Sequence, residues 1–312
     1  LHGREGYGGG SKLLRGGKTA VKNKSKGKML NMKTRSAITG YAYIAPWIAG
    51  FLLFTLYPLI FSVRLSLNEI KLDPAGMEML WRGNYYYNTA WNVDTTFRMD
   101  LGNTVTMILF STPVILIFSL IIALLLNNKF PLRTFFRVIF FFPVVVMSGP
   151  AISELLTAHS LNFSERSPTV FEFLKLLPAF AQKPVMFVLE NLVLILWFSG
   201  VQILIFLAGL QKVSPDIYSA AEIDGAGAWE KFWKITLPFV SPMILLCAVY
   251  TVIDIANYAN NAVNIKISGS ILSTSGLYSI SAAMSWIYFF AVIAILLGVY
   301  LISLFVRGRS NR

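Results

Sequence analysis

The sequence predicts an all-α, polytopic membrane protein with about six transmembrane helices and both chain ends on the same side. Three observations carry that expectation. Hydrophobic residues make up 55% of the chain and charged ones only 13%, with a mean hydropathy of +0.62. A soluble globular domain carries roughly 25% charged residues, so a water-facing surface cannot be covered here. The apolar residues gather in long charge-free windows, and the Lys and Arg residues between them alternate from loop to loop.

The elements follow in order. Residues 1–35 hold ten of the 27 Lys/Arg and one acid, Glu5, so most of the net charge of +12 sits in this tail. Residues 1–28 are rich in Gly, Lys and Ser without hydrophobic periodicity, the composition of a disordered segment. A basic tail beside a membrane segment fits a cytoplasmic, lipid-facing position, and a nucleic-acid partner is not expected. Met29 or Met32 would give an ordinary-looking beginning. The apolar stretch that follows is too long, and lacks a small-residue cleavage site, for a cleavable signal peptide. A bilayer core of about 30 Å needs about 20 apolar residues in a helix. Charge-free windows at 36–63, 101–128, 138–153, 191–211, 235–253 and 267–306 predict six spans. Their expected limits are 37–64, 101–127, 134–157, 187–211, 236–258 and 282–306, within one transmembrane domain covering 36–312. Pro58, Pro113, Pro143 and Pro150 fall inside or near spans, where neighbouring helices can re-satisfy the backbone.

Orientation follows from basic residues near the span ends. With the tail inside, Lys129, Arg133 and Arg137 lie on the same side. Lys212, Lys231 and Lys234 join them, as do Arg307, Arg309 and Arg312 at the C-terminus. The loops at 65–100, 154–190 and 254–281 carry mixed or little charge and fall outside.

The loop at 212–238 stands out. Ser214-Pro215-Asp216 reads as a helix start, with an N-cap, a proline at the first helical position and an acid at the positive dipole end. Gly225 permits a sharp bend about ten residues later. A second short helix then places Trp229, Phe232 and Trp233 at i, i+3 and i+4, one apolar face. Neither helix is expected to span the bilayer. That face needs cover, either from the ends of the chain's own spans or from a groove on a partner; the physics alone divides evenly.

This segment resembles the EAA loop of permease subunits from binding-protein-dependent ABC importers. In that family an E-A-A triplet is followed after three intervening residues by glycine, and after nine more intervening residues by I-x-L-P. Ala220 and Ala221 match the alanines, Asp224-Gly225-Ala226 the usual D-G-A, and Ile235, Leu237 and Pro238 the tail. Ser219 stands where the family generally has glutamate, with Glu222 nearby. Ile44-Ala45-Pro46 and Phe54-Thr55-Leu56-Tyr57-Pro58 resemble the opening span of carbohydrate-type permeases such as those of the maltose importer. Asn103-Thr104, Ala123-Leu124-Leu125-Leu126-Asn127, Phe135-Phe136-Arg137 with Pro143, and Leu207-Ala208-Gly209-Leu210 fit the later spans. The resemblance covers nearly the whole chain from about residue 37 to 309. Two outer stretches depart: 161–183 lacks the usual G-x-I-N-like turn, and 264–275 lacks the Gly-Gly-Pro approach to the last span.

The resemblance implies a pore for a sugar or oligosaccharide in the bacterial cytoplasmic membrane, shared with a second homologous permease subunit. An extracytoplasmic solute-binding protein would deliver the solute, and two ATPase subunits would use ATP and Mg on the cytoplasmic side. The chain itself is expected to be no enzyme and to bind no cofactor or metal. Ser219, Ala220, Ala221, Glu222, Asp224, Gly225, Trp229, Phe232, Ile235 and Pro238 would meet the ATPase. A non-sugar solute within the same family, or an ion-coupled secondary transporter or channel, are the rival readings.

Other residues invite chemistry less well. Arg15-Gly16-Gly17-Lys18-Thr19 imitates the end of a P-loop, but the first glycine would fall at Lys12 and no strand precedes it. His2 and His159 are isolated, and Cys247 lies in an apolar run as packing. Asp254, Asn257, Tyr258 and Asn261 follow at i, i+3, i+4 and i+7, one helical face near the outer end of span five. Acids and amides at membrane depth face a cavity or a partner helix, so this stripe has two readings: a substrate path, or a polar helix end with interhelical bonding. Glu190 reads as an interfacial charge.

Overall fold

The structure, a computed structural model, describes residues 32–73, 76–128, 178–272 and 277–310, together with Phe135, Val138 and Ile139. The expected third span at 134–157 lies almost wholly outside the described residues, as do the tail 1–31, Pro143, Pro150, His159 and the segment 161–177. Two compact units are distinguished, Leu1–Pro58 and Leu59–Arg312.

Helix α1 (Met32–Phe51) runs through a π turn (Leu52–Leu56) into α2 (Tyr57–Leu67). Together Thr39–Leu67 is long and apolar enough to cross a membrane. Pro58 accounts for the π turn. A proline has no N–H, and its ring crowds the carbonyl four residues back; widening the preceding turn, with Tyr57 N–H donating to the Leu52 carbonyl, relieves the crowding. Tyr43, Trp47 and Phe54 are exposed on this helix, as suits side chains meeting lipid.

The second unit is built around α4 (Thr95–Asn127). Its start, expected near 101, lies earlier because the Asp94 carboxylate caps it, accepting the Phe97 N–H at 2.9 Å. Its buried positions Phe97, Leu101, Thr104, Ile108, Ser111, Ile115 and Ser119 recur three or four residues apart, so one stripe faces the protein. Small hydroxyl residues in that stripe let neighbouring helices approach closely. Pro113 sits inside α4 without ending it.

Against α4 pack α6 (Leu192–Leu210), α9 (Leu237–Ala256) and α11 (Tyr278–Ser310). Phe97, Ile108, Ile115, Phe198, Val252 and Met284 belong to one core cluster, and Leu126, Phe206, Leu210, Val240 and Cys247 to a second. At Gly209 a Cβ would come within 3.0 Å of Met243 Cγ, so α6 approaches α9 closely there and a larger residue would oblige Met243 to shift.

Four helices are long and apolar enough to span a membrane, and a bent pair gives a fifth among the described residues. The fourth expected span differs from its sequence reading. It was to begin near 187, but the chain breaks at Asn191, and Pro184–Glu190 lies at 88° to Leu194–Leu210. The Asn191 amide donates back to the Phe187 carbonyl at 2.9 Å, closing the end of α5 (Ala179–Glu190). Helix α6 alone, 19 residues, is about 28 Å long and still matches the bilayer core.

Regular elements also occupy two of the loops that carry mixed or little charge. Strands β1 (Asn68–Asp73) and β2 (Gly76–Trp81) pair antiparallel, followed by the short α3 (Tyr85–Asn88) and a π turn (Thr89–Val93). Among the described residues the fold is thus helical with one small hairpin. Helix α10 (Ala262–Leu272) precedes the last span and packs on α4 and α11, and Lys266 pairs with Asp94 at 3.1 Å.

Candidate functional site: the bent loop and the far end of span five

Helix α7 (Pro215–Ile223) forms where the sequence places it. The Ser214 hydroxyl accepts the Asp216 N–H at 3.3 Å, and Pro215 occupies the first turn, where no N–H is needed. The helix ends in a Schellman motif: Ala226 N–H donates to the Ala221 carbonyl at 2.8 Å and Gly225 N–H to the Glu222 carbonyl at 3.0 Å. This closure puts Gly225 at φ +81°, a conformation that disfavours any Cβ. Here lies the physical need for a glycine four positions past the paired alanines.

The second arm departs from expectation. It is no separate short helix: α8 (Ala228–Lys231) passes through a π turn (Phe232–Thr236) into α9, and Ala228–Ala256 forms one apolar run. Pro238 is the cause, as Pro58 is in the first span; Leu237 N–H reaches the Phe232 carbonyl across the widened turn. Trp229, Phe232 and Trp233 are therefore the first turns of the spanning helix itself, and a push on them acts on that helix directly.

Three contacts brace the bend. Lys231 Nζ donates to Glu222 Oε1 at 2.7 Å, joining the two arms. The Tyr218 hydroxyl meets Thr236 Oγ1 at 2.9 Å, tying α7 to the base of span five. Glu230 reaches back to the Gly227 N–H at 3.3 Å. The sequence reading missed the first two, since which side chains meet across a bend depends on its angle rather than on spacing.

The predicted contact residues divide by exposure. Ser219, Ala220, Glu222, Asp224 and Gly225 are exposed, Ala221 and Ile235 half-buried, and Pro238 exposed. The Ser219 hydroxyl donates to the Pro215 carbonyl at 3.2 Å, its helix's own backbone. Ile223 is 87% exposed and Trp229 72%. Trp233 packs edge-on against both Trp229 and Phe232, with ring centroids at 5.5 and 5.3 Å. The loop is thus braced by these internal contacts while presenting Ile223 and Trp229 uncovered.

At the other end of span five the proposed stripe does not exist as a helical face. Helix α9 stops at Ala256, with Asn257 as its C-cap, and the chain turns before α10. Asp254 is half-buried in the last helical turn, Asn257 is exposed, and Tyr258 packs edge-on against Phe198. Asn261 is buried elsewhere and fully engaged. Its Oδ1 accepts Thr104 Oγ1 at 2.7 Å and the Val263 N–H at 3.1 Å, while Nδ2 donates to the Tyr288 hydroxyl at 3.1 Å. Tyr288 in turn donates to the Ala256 carbonyl at 2.8 Å, and Asn264 Nδ2 donates to the Ala256 and Tyr258 carbonyls. Helix ends leave carbonyls without partners; this network supplies them and stops the helix, so a spacing rule for a continuous helix fails beyond Ala256.

No family model matches the chain. It is 31% identical over 221 residues, 70% of each chain, to the probable ABC transporter permease protein YesP of Bacillus subtilis. To the arabinooligosaccharides transport system permease protein AraP of Bacillus subtilis it is 31% identical, over 68% of this chain and 67% of that one. The lactose transport system permease protein LacF of Rhizobium radiobacter is 29% identical, over 72% and 74%. A solved bacterial ABC transporter involved in alginate import shares the fold, with a TM-score of 0.58 at 19% identity, covering 87% of this chain and 96% of that one. With its membrane-length helices and these relatives, the chain is a multi-pass membrane protein and belongs to the carbohydrate-type ABC transporter permease family.

Proposed function

We propose that this chain forms the translocation pore of an ATP-driven importer for a sugar or oligosaccharide in the bacterial cytoplasmic membrane, and that the loop 212–238 receives the force of ATP hydrolysis. The observation that carries the reading is the bent, internally braced loop, which leaves Ile223 and Trp229 exposed and runs without interruption into span five. A rigid element of this kind transmits a displacement; a floppy one would absorb it. The positive-inside bias supports a cytoplasmic position for the loop, where two ATPase subunits would bind ATP and Mg and grip it. A second homologous permease subunit would complete the pore, and an extracytoplasmic binding protein would present the solute. The alginate importer has been solved with its pentasaccharide-bound periplasmic protein, which supports that arrangement. Physically, the mechanism is a coupling free energy between the ATPase pair and the state of the pore.

For the solute path, Asp254 remains a candidate at the end of span five, with Asn257 and Tyr258 in the turn beyond; the Asn261 amide is taken up by its neighbours. The test uses the assembled transporter. Gly225→Pro and Ala220→Arg should abolish uptake and stimulated ATP hydrolysis while the chain still inserts in the membrane. Normal transport by both variants would end the coupling role.

A further inference from the structure

The β-hairpin at 68–81 is amphipathic, and nothing in the transport reading uses it. In its register, Asn68 faces Trp81 and Ile70 faces Met79, while Glu69 faces Leu80 and Lys71 faces Glu78. Side chains alternate across a strand, so Ile70, Met77, Met79 and Trp81 share one face and Glu69, Lys71 and Glu78 the other. The polar face is paired within itself: Lys71 stands opposite Glu78 in the register, and Arg82 holds Glu69 at 2.7 Å. The apolar face is only partly covered. Ile70 and Met79 are half-buried, while Met77 is 48% and Trp81 71% exposed.

An isolated two-stranded hairpin is at best marginally stable in water, so this one needs a surface beneath it. Helix α11 supplies part, contacting β1. The rest of the support follows from position. The hairpin begins directly at Leu67, the last residue of a membrane-length helix, and Arg82 N–H donates to the Leu67 carbonyl at 3.0 Å, fixing its base there. Arg64 is the first charge after the window 36–63, so the hairpin base lies about one helical turn beyond the hydrocarbon edge. Exposed Tyr85 and Trp91 follow immediately, and Trp and Tyr concentrate at the membrane–water boundary.

We propose that this hairpin is an interfacial anchor, lying on the leaflet in which the first span ends, with Met77 and Trp81 among the lipid headgroups and Glu69, Lys71 and Glu78 toward water. The bilayer is the occupant because the exposed apolar face continues, without a gap in the chain, from a helix that crosses it. Such an anchor would hold the outer end of the first span, and the start of α11 packed on it, at constant depth while other helices move.

The test places a nitrobenzoxadiazole label on Met77→Cys, Glu78→Cys or Trp81→Cys in the full chain, reconstituted in phosphatidylethanolamine–phosphatidylglycerol vesicles. Cys247 is fully buried and stays unlabelled. Labels at 77 and 81 should emit at shorter wavelength and be quenched by lipids carrying an acyl-chain doxyl group. The label at 78 should be quenched by aqueous iodide instead. As a label-free check, the fluorescence lost in Trp81→Phe should belong to the doxyl-quenchable part. Iodide quenching at 77 and 81 equal to that at 78 would overturn the proposal. So would shielding that appears only when a solute-binding protein is added, which would assign the face to a protein.

Discussion

At its N-terminal end, helix Leu237–Ala256 continues back through a π turn into a loop whose large apolar side chains are uncovered. At its C-terminal end the chain folds into a closed knot of polar groups. The first end is braced by the Lys231–Glu222 and Tyr218–Thr236 contacts and leaves Ile223 and Trp229 exposed. The second end has Thr104, Asn261, Asn264 and Tyr288 bonded to one another or to backbone carbonyls, with Asn261 almost inaccessible. In the proposed coupling role, the first end would serve as a handle and the second as a fixed point. A lever needs both, since force applied to an unanchored helix would only translate it.

Substitutions at the polar network beyond Ala256 should have the largest effect. Replacing Asn261 with Ala leaves the Tyr288 and Thr104 hydroxyls and the Val263 N–H short of partners in a buried place. The loss should be about 3 kcal/mol, read as a lowered unfolding midpoint of the purified chain in detergent. Adding Thr104→Val to Asn261→Ala should cost less than the sum of the two, with a coupling of about 1 kcal/mol; strict additivity would show that the network is not a unit. At the handle the effects on stability should be smaller. Gly225→Ala forces a Cβ into the φ +81° conformation and should cost about 1 kcal/mol locally, seen as faster hydrogen exchange at the Ala226 amide without a change in the global midpoint. Smallest is Lys231→Met. It removes an ion pair whose Glu222 partner is 62% exposed, so stability should fall by less than about 1 kcal/mol, and raising the salt concentration in the parent chain should reproduce most of the loss. If Lys231→Met proved as damaging as Asn261→Ala, the contrast between the two ends would be wrong.

Much of this architecture was legible because membrane helices are selected by length and composition, which a sequence displays directly. The loop at 212–238 was legible for a second reason: its turn is specified by local chemistry, Ser214 and Pro215 at the start and Gly225 at the stop. What escaped depends on contacts between distant residues. The break after Ala256 is enforced by Tyr288, thirty-two residues further on, so the apparent stripe from Asp254 to Asn261 looked like a helix face. The π turns before Pro58 and Pro238 were signalled by those prolines, though a proline alone does not say whether a helix kinks, widens or ends. The hairpin at 68–81 lay within a loop of mixed charge, yet its alternation of apolar and charged residues was a readable period-two signal.

The proposed coupling requires the loop to be an aqueous, cytoplasmic handle held by the ATPase subunits. Ile223, exposed and just before the bend, reports on this most directly when changed to Cys and exposed to a membrane-impermeant maleimide. A cytoplasmic handle should give no reaction in intact cells, reaction in everted vesicles stripped of ATPase subunits, and protection when those subunits are restored. Labelling of Ile223→Cys from outside intact cells would contradict it.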